Sequence, residues 1–167
     1  MKPEEQNIYM SKEYAEAIRY MDNAKDTLRK AEKQDDGQYT DEKYVRSACG
    51  IAYLGVLVAL DAWLILKGVE IPNKRNHTNI NFYLANVGKL DMKLLKHLNS
   101  AYNILHLDGY YRKETSIDVI DGGFKAAYHI IDKIKPENPV DVPETRGDKF
   151  TMAWNKLMIS LAVMFGF

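Results

Sequence analysis

The residues best suited to do chemistry lie in one stretch, AYNILHLDGYYR, at positions 101–112. Tyr102, His106 and Tyr110 follow one another at intervals of four, so they share one face of a predicted helix. A histidine at that position can titrate near pH 7 and act as a general acid or base. It can also remain a hydrogen-bonded group between packed helices, and the leucines around it favour this structural interpretation.

The end of the same stretch combines aromatic rings with a positive charge. Tyr110, Tyr111 and Arg112 are adjacent, and such a group can stack on a nucleobase and hold a phosphate. The structural alternative is that these side chains simply cover the end of a helix. We predict a ligand-binding surface that includes Tyr102, His106, Tyr110, Tyr111 and Arg112, in which His106 is the candidate catalytic residue.

Asp61 is the sixth residue predicted for this surface. It interrupts the apolar run IAYLGVLVALDAWLIL at residues 51–66. An ionised carboxylate in such a run must be paired or protonated, because burial penalises its charge. It could act as a general base or pair with a histidine or arginine. A place on a thin polar stripe, or a bond to a neighbouring helix, is the structural alternative and the one we favour.

Other kinds of site have little support in the sequence. The four histidines show no metal-binding spacing such as HExxH, and Cys49 is the single cysteine, so we predict no metal and no disulfide within the chain. No glycine-rich phosphate loop is present, and no cofactor is expected. Residues 67–97 carry six lysines and arginines against two acids. That excess permits a phosphate-bearing ligand, although an ordinary solvated face is the simpler interpretation.

A helical period of three to four residues runs through the chain and must position these residues. The helices predicted from it are Tyr9 to about Lys33, Asp41 to Lys67 with Gly68 as its stop, a short one at Ile80–Val87, a long one from Asp91, and one from Thr115 or Ser116. Gly109 either ends the long helix or allows close packing. The predicted fold class is all-α, an up-and-down bundle of four to five main helices with a C-terminal helical tail.

The predicted organisation is one bundle over residues 1–135, a proline-containing loop over 136–147 and an apolar tail over 148–167. Large apolar side chains recur in the tail at helical spacing: Phe150, Trp154, Leu157, Leu161 and Phe165. They are too many to leave in water. We predict a helix that packs on the bundle and contributes to a self-association surface.

Composition bounds the class of protein. Lysine plus arginine total 23 and aspartate plus glutamate total 23, which argues against a dedicated non-specific nucleic-acid binder. The start of the chain lacks the apolar core of a signal peptide, so we expect a cytoplasmic location. The apolar run 51–66 is short for a membrane span and contains Asp61, so we predict a buried helix and no stable membrane insertion.

The helix order, the segment AYNILHLDGYY and a following helix that ends in HIIDKI are similar to the HEPN-like helical bundles, over about residues 8–135. The chain resembles the small bacterial members of that superfamily most. The resemblance implies a homodimer and, in many members, a ribonuclease. The active site of those members has an arginine followed, after four to six residues, by a histidine. No arginine of this chain has a histidine at that spacing.

We therefore predict a non-catalytic HEPN-like module for ligand or partner binding. A nucleotide, RNA or a protein is the candidate partner, and the module is expected to be a homodimer. The alternative is a ribonuclease or nucleotide-processing enzyme with a non-standard site. In that case His106 would be the general acid or base, and Arg112 or a lysine of the basic segment would stabilise the phosphate charge.

Overall fold

The structure, a computed structural model, describes residues 1–72 and 79–141. Over these ranges the chain is all-α, with no β-strand beyond isolated bridges. Its helices are α1 (Pro3–Arg29), α2 (Glu42–Leu66), α3 (Ile80–Leu90), α4 (Met92–Ala101), a π-helix (Tyr102–Tyr111), α5 (Ile117–Ile131) and a 3₁₀ turn (Asp132–Ile134). They form an up-and-down helical bundle, which confirms the fold class predicted from the sequence.

Two parts of the chain discussed above lie outside the described residues. One is the predicted tail helix at 148–167, together with residues 142–147 of the loop that precedes it. The other is the middle of the basic region, including Lys74, Arg75 and His77. The predictions made for these residues remain predictions.

Short polar side chains begin two of the helices where the sequence predicts. Asp41 accepts a hydrogen bond from the N–H of Lys43 at 2.9 Å and begins α2. Asp91 accepts from two N–H groups of the following turn, both at 2.9 Å, and begins α4. Such caps satisfy N–H groups that the first turn of a helix leaves unbonded. Gly68 has a φ of 79° and ends α2 as expected.

The first helix starts earlier than its apolar period indicates. α1 begins at Pro3, ahead of the predicted start at Tyr9, and ends at Arg29. Proline suits the first turn because it has no N–H to leave unbonded, and Glu4 and Glu5 favour the positive end of the helix dipole. These terminal signals extend the helix beyond its buried part.

α2 lies at the centre of the bundle, where it contacts α1, the π-helix and α5. An added Cβ at Gly55 would lie 3.0 Å from Tyr20 Cβ and 3.1 Å from the carbonyl oxygen of Ala17, so α1 approaches closely there. Among the described helices, only α2 is long and apolar enough by length and composition to cross a membrane, with a mean hydropathy of 2.1. Within the bundle 61% of that apolar window is buried, as expected of an apolar core helix.

Candidate functional site

The stretch with the most functional residues forms a π-helix. α4 continues without a break into ten residues, Tyr102–Tyr111, that have π-helical geometry. At its end the N–H of Arg112 donates to the carbonyl of Leu107 at 2.9 Å, the five-residue step of this helix type. The sequence predicts one continuous α-helix here. The structure differs from that prediction, because the helix widens to π-helical geometry from Tyr102 onward. π-helical turns inside α-helices occur frequently at functional sites.

Glycines let the π-helix pack tightly against its neighbours. An added Cβ at Gly109 would lie 2.4 Å from the Sγ of Cys49 on α2. One at Gly123 on α5 would lie 2.6 Å from Cγ2 of Ile104. Real Cβ atoms do not approach so closely, so each position requires glycine for the observed packing. Gly109 therefore allows close packing and does not end the helix.

Five rings surround the middle of the π-helix and are called the aromatic array: Tyr53, Tyr102, His106, Tyr110 and Tyr111. His106 is at its centre. Its ring centroid lies 4.8 Å from that of Tyr53, 5.3 Å from Tyr102, 5.1 Å from Tyr111 and 6.3 Å from Tyr110. Tyr111 meets His106 edge-on at 86°, whereas Tyr110 is nearly parallel to it at 7°. Both arrangements are favourable for aromatic pairs.

Burial favours the uncharged forms of two rings in the array, those of His106 and Tyr53. Burial lowers the pKa of the half-buried His106, so its imidazole is neutral. Burial, and then the neighbouring Tyr102, raise the pKa of the buried Tyr53 well above the ordinary tyrosine value. No carboxylate in the described part of the chain forms a hydrogen bond or ion pair with His106. A general acid or base is normally oriented by such a partner.

Arg46 of α2 holds the end of the π-helix. Its Nε donates to the carbonyl oxygen of Tyr110 at 3.0 Å, and its guanidinium lies 5.7 Å from the centroid of the Tyr110 ring. The same ring also packs against Gly50, where an added Cβ would lie 3.1 Å from Cδ2 of Tyr110. Neither Arg46 nor Tyr53 is among the site residues predicted from the sequence. The pairing of α2 with a segment far along the chain brings them to the array, and no local pattern signals it.

The exposed end of the array carries two cations. Tyr111 is 62% exposed. Nη1 of Arg112 lies 2.8 Å from Oδ1 of Asp108, and Nζ of Lys113 lies 3.0 Å from Oε1 of Glu42. Exposed ion pairs of this kind contribute only about 0–1 kcal/mol. The two cations can therefore exchange their partners for an incoming anion at little cost.

Asp61 lies apart from the aromatic array. It accepts a hydrogen bond at 2.7 Å from the hydroxyl of Tyr83 on α3. It follows Tyr53 by two turns of α2, which is about 12 Å along the helix axis. The structure therefore brings Tyr102, His106, Tyr110 and Tyr111 together with Arg112 beside them, and places Asp61 at the contact of α2 with α3.

No metal site is present in residues 1–72 and 79–141, where no cluster of three or more histidine, cysteine, aspartate or glutamate side chains could hold an ion. Cys49 is buried, and burial raises the pKa of its thiol to about 12. A thiol in that state is a poor nucleophile. Its visible role is to pack against Gly109.

Comparisons with known proteins give a family and no activity. A family model described as "Domain of unknown function (DUF5618)" matches residues 12–136, a range that includes the whole aromatic array. A solved structure described as a protein of unknown function from Dyadobacter fermentans is 37% identical. The similarity covers 74% of this chain and 94% of that one, with a TM-score of 0.66. No curated protein matches.

Neither description mentions a HEPN-like fold or a ligand, so those remain predictions. The family model extends from within α1 to just beyond the 3₁₀ turn, and so covers nearly the whole described bundle. The π-helix, its two glycine contacts and the rings around His106 all lie within that range. The chain belongs to the family described as Domain of unknown function (DUF5618).

Proposed function

We propose that the protein is a non-catalytic, HEPN-like binding module that holds a nucleotide-like ligand at the exposed end of the aromatic array. The observation that carries this proposal is the array itself, which ends in the exposed Tyr111, followed in the chain by the two exposed cations Arg112 and Lys113. The edge-on contacts of Tyr111 with His106 and Tyr110 hold its ring in place. A planar base can stack on that ring, and a phosphate can bind the two cations.

The absence of catalysis is proposed from the state of His106. It is half-buried among rings, its pKa is lowered, and no carboxylate orients it within the described residues. Arg112 bonds Asp108 at the surface. The arginine–histidine spacing of HEPN ribonucleases is absent from the sequence. The resemblance to HEPN-like proteins also supports a homodimer, and we propose that state in the cytoplasm.

The test uses adenosine monophosphate, adenosine and ribose 5-phosphate as ligands in calorimetric titrations. Adenosine monophosphate should bind more tightly than either fragment, because only it engages both the ring and the cations. Tyr111→Ala should weaken its binding roughly 5- to 150-fold, the equivalent of about 1–3 kcal/mol of stacking. Arg112→Gln should weaken the binding of adenosine monophosphate and leave the affinity for adenosine unchanged.

Arg29→Gln is the matched control, since Arg29 is also an exposed arginine in an ion pair with a nearby aspartate, on α1. It should bind like the unmodified protein. The proposed site would be contradicted if the Tyr111→Ala and Arg112→Gln variants bound adenosine monophosphate as tightly as the unmodified protein does. Cleavage of RNA that disappears in His106→Ala would establish the enzyme alternative. Sedimentation equilibrium tests the homodimer against the chain mass of 19.2 kDa.

A further inference from the structure

Two histidines outside the aromatic array meet at the surface of the bundle. His97 of α4 and His129 of α5 stack their imidazole rings, with centroids 4.4 Å apart, and are called the histidine pair. His129 is exposed and His97 is half-buried. Within the described residues, neither ring forms a hydrogen bond or an ion pair. Their nitrogens can therefore bond to a ligand that arrives from solvent.

Lysines lie around the histidine pair. Lys133, just after α5, bonds Asp91 at the start of α4 at 2.8 Å, so the two helices are antiparallel neighbours. Lys93 and Lys125 are exposed, and each precedes one histidine of the pair by four residues. Residues four apart lie on the same face of a helix. Cations are therefore present toward both ends of the pair.

The carboxylate that acts on His97 is that of Asp91, and it already has partners. It accepts hydrogen bonds from the ammonium of Lys133 and from the N–H groups of Leu94 and Lys93, which lower its pKa to about 2. Asp91 thus compensates the charge of Lys133 and begins α4. It leaves the histidine pair without a carboxylate of its own.

The other charged groups of the surrounding elements do not change this balance. α3 packs on α4 and contains no acidic residue. Asp121 of α5 precedes the pair by two turns, about 12 Å, and Asp132 acts on Tyr14 of α1. α1 brings a cation toward α5, since Nζ of Lys25 lies 4.5 Å from the ring centroid of Tyr128. Three further acids bond elsewhere: Glu42 to Lys113, Asp61 to Tyr83 and Asp108 to Arg112.

This distribution of charge favours an anion as the ligand. Burial, then His129 and Lys133, lower the pKa of His97, because a proton there meets other positive charges. A bound anion would relieve that repulsion. An oxyanion has several acceptor oxygens, so it can bond two neighbouring rings and an ammonium together. A metal ion would meet the same positive charges and find two imidazole ligands, fewer than the three or four that zinc sites in proteins supply.

We propose that His97, His129 and Lys133 form a binding site for a doubly charged oxyanion, the phosphate group of a small molecule. Lys93 and His97 belong to the basic region 67–97 of the sequence, and α5 completes the site with residues far along the chain. The site is separate from the exposed end of the aromatic array, which lies at the other end of the π-helix. It binds its ligand most tightly when both rings are protonated.

NMR titration of the histidine resonances tests this site, with sulfate as the probe. Sulfate keeps two negative charges from pH 5.5 to 7.5, so any change in its binding over that range comes from the protein. Its affinity should be roughly tenfold higher at pH 5.5 than at pH 7.5, because charged hydrogen bonds form at the lower pH. By linkage, sulfate should raise the pKa of His97. His97→Gln and His129→Gln assign the resonances.

Substitution of Lys133 separates a built site from general attraction. Lys133→Gln should weaken sulfate binding at pH 6.0 roughly tenfold, because one charged donor is lost. Lys135→Gln is the matched control, since it removes the same charge from an exposed lysine two residues further along. It should bind sulfate like the unmodified protein, as should Arg112→Gln at the other proposed site. Circular dichroism checks that each variant is folded.

Two further ligands complete the test. Methyl phosphate should shift the same two histidine resonances as sulfate, because it presents the same charge and oxygens at pH 7.5. Sodium chloride at equal ionic strength should have a smaller effect, because chloride cannot bond three donors through separate oxygens.

Four results would overturn the proposal. Equal effects of chloride and sulfate would mean that salt only screens the pair. Equal losses in Lys133→Gln and Lys135→Gln would show that Lys133 is not part of a site. Sulfate binding without methyl phosphate binding would exclude a phosphate monoester. Shifts that arise only with phosphatidylglycerol-containing vesicles would make a lipid surface the partner.

Discussion

His97 of α4 and His129 of α5 stack their imidazole rings, with centroids 4.4 Å apart and an interplanar angle of 27°. Burial lowers the pKa of His97 below its ordinary 6.5, and His129 and Lys133 lower it further, while Asp91 acts in the opposite direction. Lys133 and Asp91 also bond each other at 2.8 Å. Protonation of His97 would add a positive charge close to His129 and Lys133, opposed by the favourable effect of Asp91.

This arrangement predicts a loss of stability on acidification. The pKa of His97 is lower in the folded state than in the unfolded state. As the pH falls below 6.5, the unfolded state therefore takes up a proton first, and the stability that neutral His97 provides above pH 6.5 is lost. The free energy of unfolding should fall as the pH drops from 7.5 to 5.5. His97→Gln should reduce that fall, and urea titrations at several pH values measure it.

Asn99→Gln, at an exposed position of the same helix, should leave the pH dependence unchanged. His106 has a lowered pKa from burial as well, so part of the acid sensitivity should persist in His97→Gln. An NMR titration that placed the pKa of His97 at or above 6.5 would refute the explanation.

The π-helix is the element whose packing is most restrictive. Gly109→Ala would put a Cβ 2.4 Å from Sγ and 2.9 Å from Cβ of buried Cys49. Rotation about χ1 can move Sγ but not Cβ, which is bonded to the backbone of α2, so the helix must shift. Overpacking of this kind typically costs about 1–3 kcal/mol of unfolding free energy. We expect a loss of that size in denaturant unfolding.

Gly122→Ala is the control, at a position of α5 that packs against Ile104 of the π-helix. A Cβ at Gly122 would meet Cδ1 of Ile104 at 3.7 Å, an ordinary contact. Alanine is a better helix former than glycine, so this change should leave stability unchanged or raise it by up to about 1 kcal/mol. A similar shift for both variants would mean that close packing at Gly109 does not limit the fold.

At the scale of the whole molecule, the reactivity of Cys49 shows whether the bundle unfolds in one cooperative step. It lies under the π-helix in the core, fully inaccessible, with its thiol pKa raised to about 12. Alkylation of Cys49 in urea should therefore follow the loss of helical circular dichroism, because the bundle must open before the thiol can react.

Met92→Cys supplies the exposed reference, since Met92 is 62% exposed at the start of α4. Its thiol should react at all urea concentrations. Alkylation of Cys49 well below the unfolding transition, at a rate independent of urea, would instead indicate that the π-helix opens by itself.

Several features follow from the sequence alone. The all-α class, the starts of α2 and α4 at Asp41 and Asp91, and the end of α2 at Gly68 were predicted and are observed. Helical period, caps and a glycine stop act between residues a few positions apart. The intervals of four between Tyr102, His106 and Tyr110 were visible for the same reason.

Only the tertiary structure decided what surrounds these residues. Arg46 and Tyr110 are 64 positions apart, and Tyr53 reaches His106 from another helix. The bond from Tyr83 places Asp61 away from the aromatic array. The helix widens at Tyr102, where it makes close contacts with α2 and α5. No pattern in the neighbouring sequence predicts these contacts. Packing between distant segments sets each of these features, because it depends on the shapes of both partners and on their alignment, which a single sequence does not display.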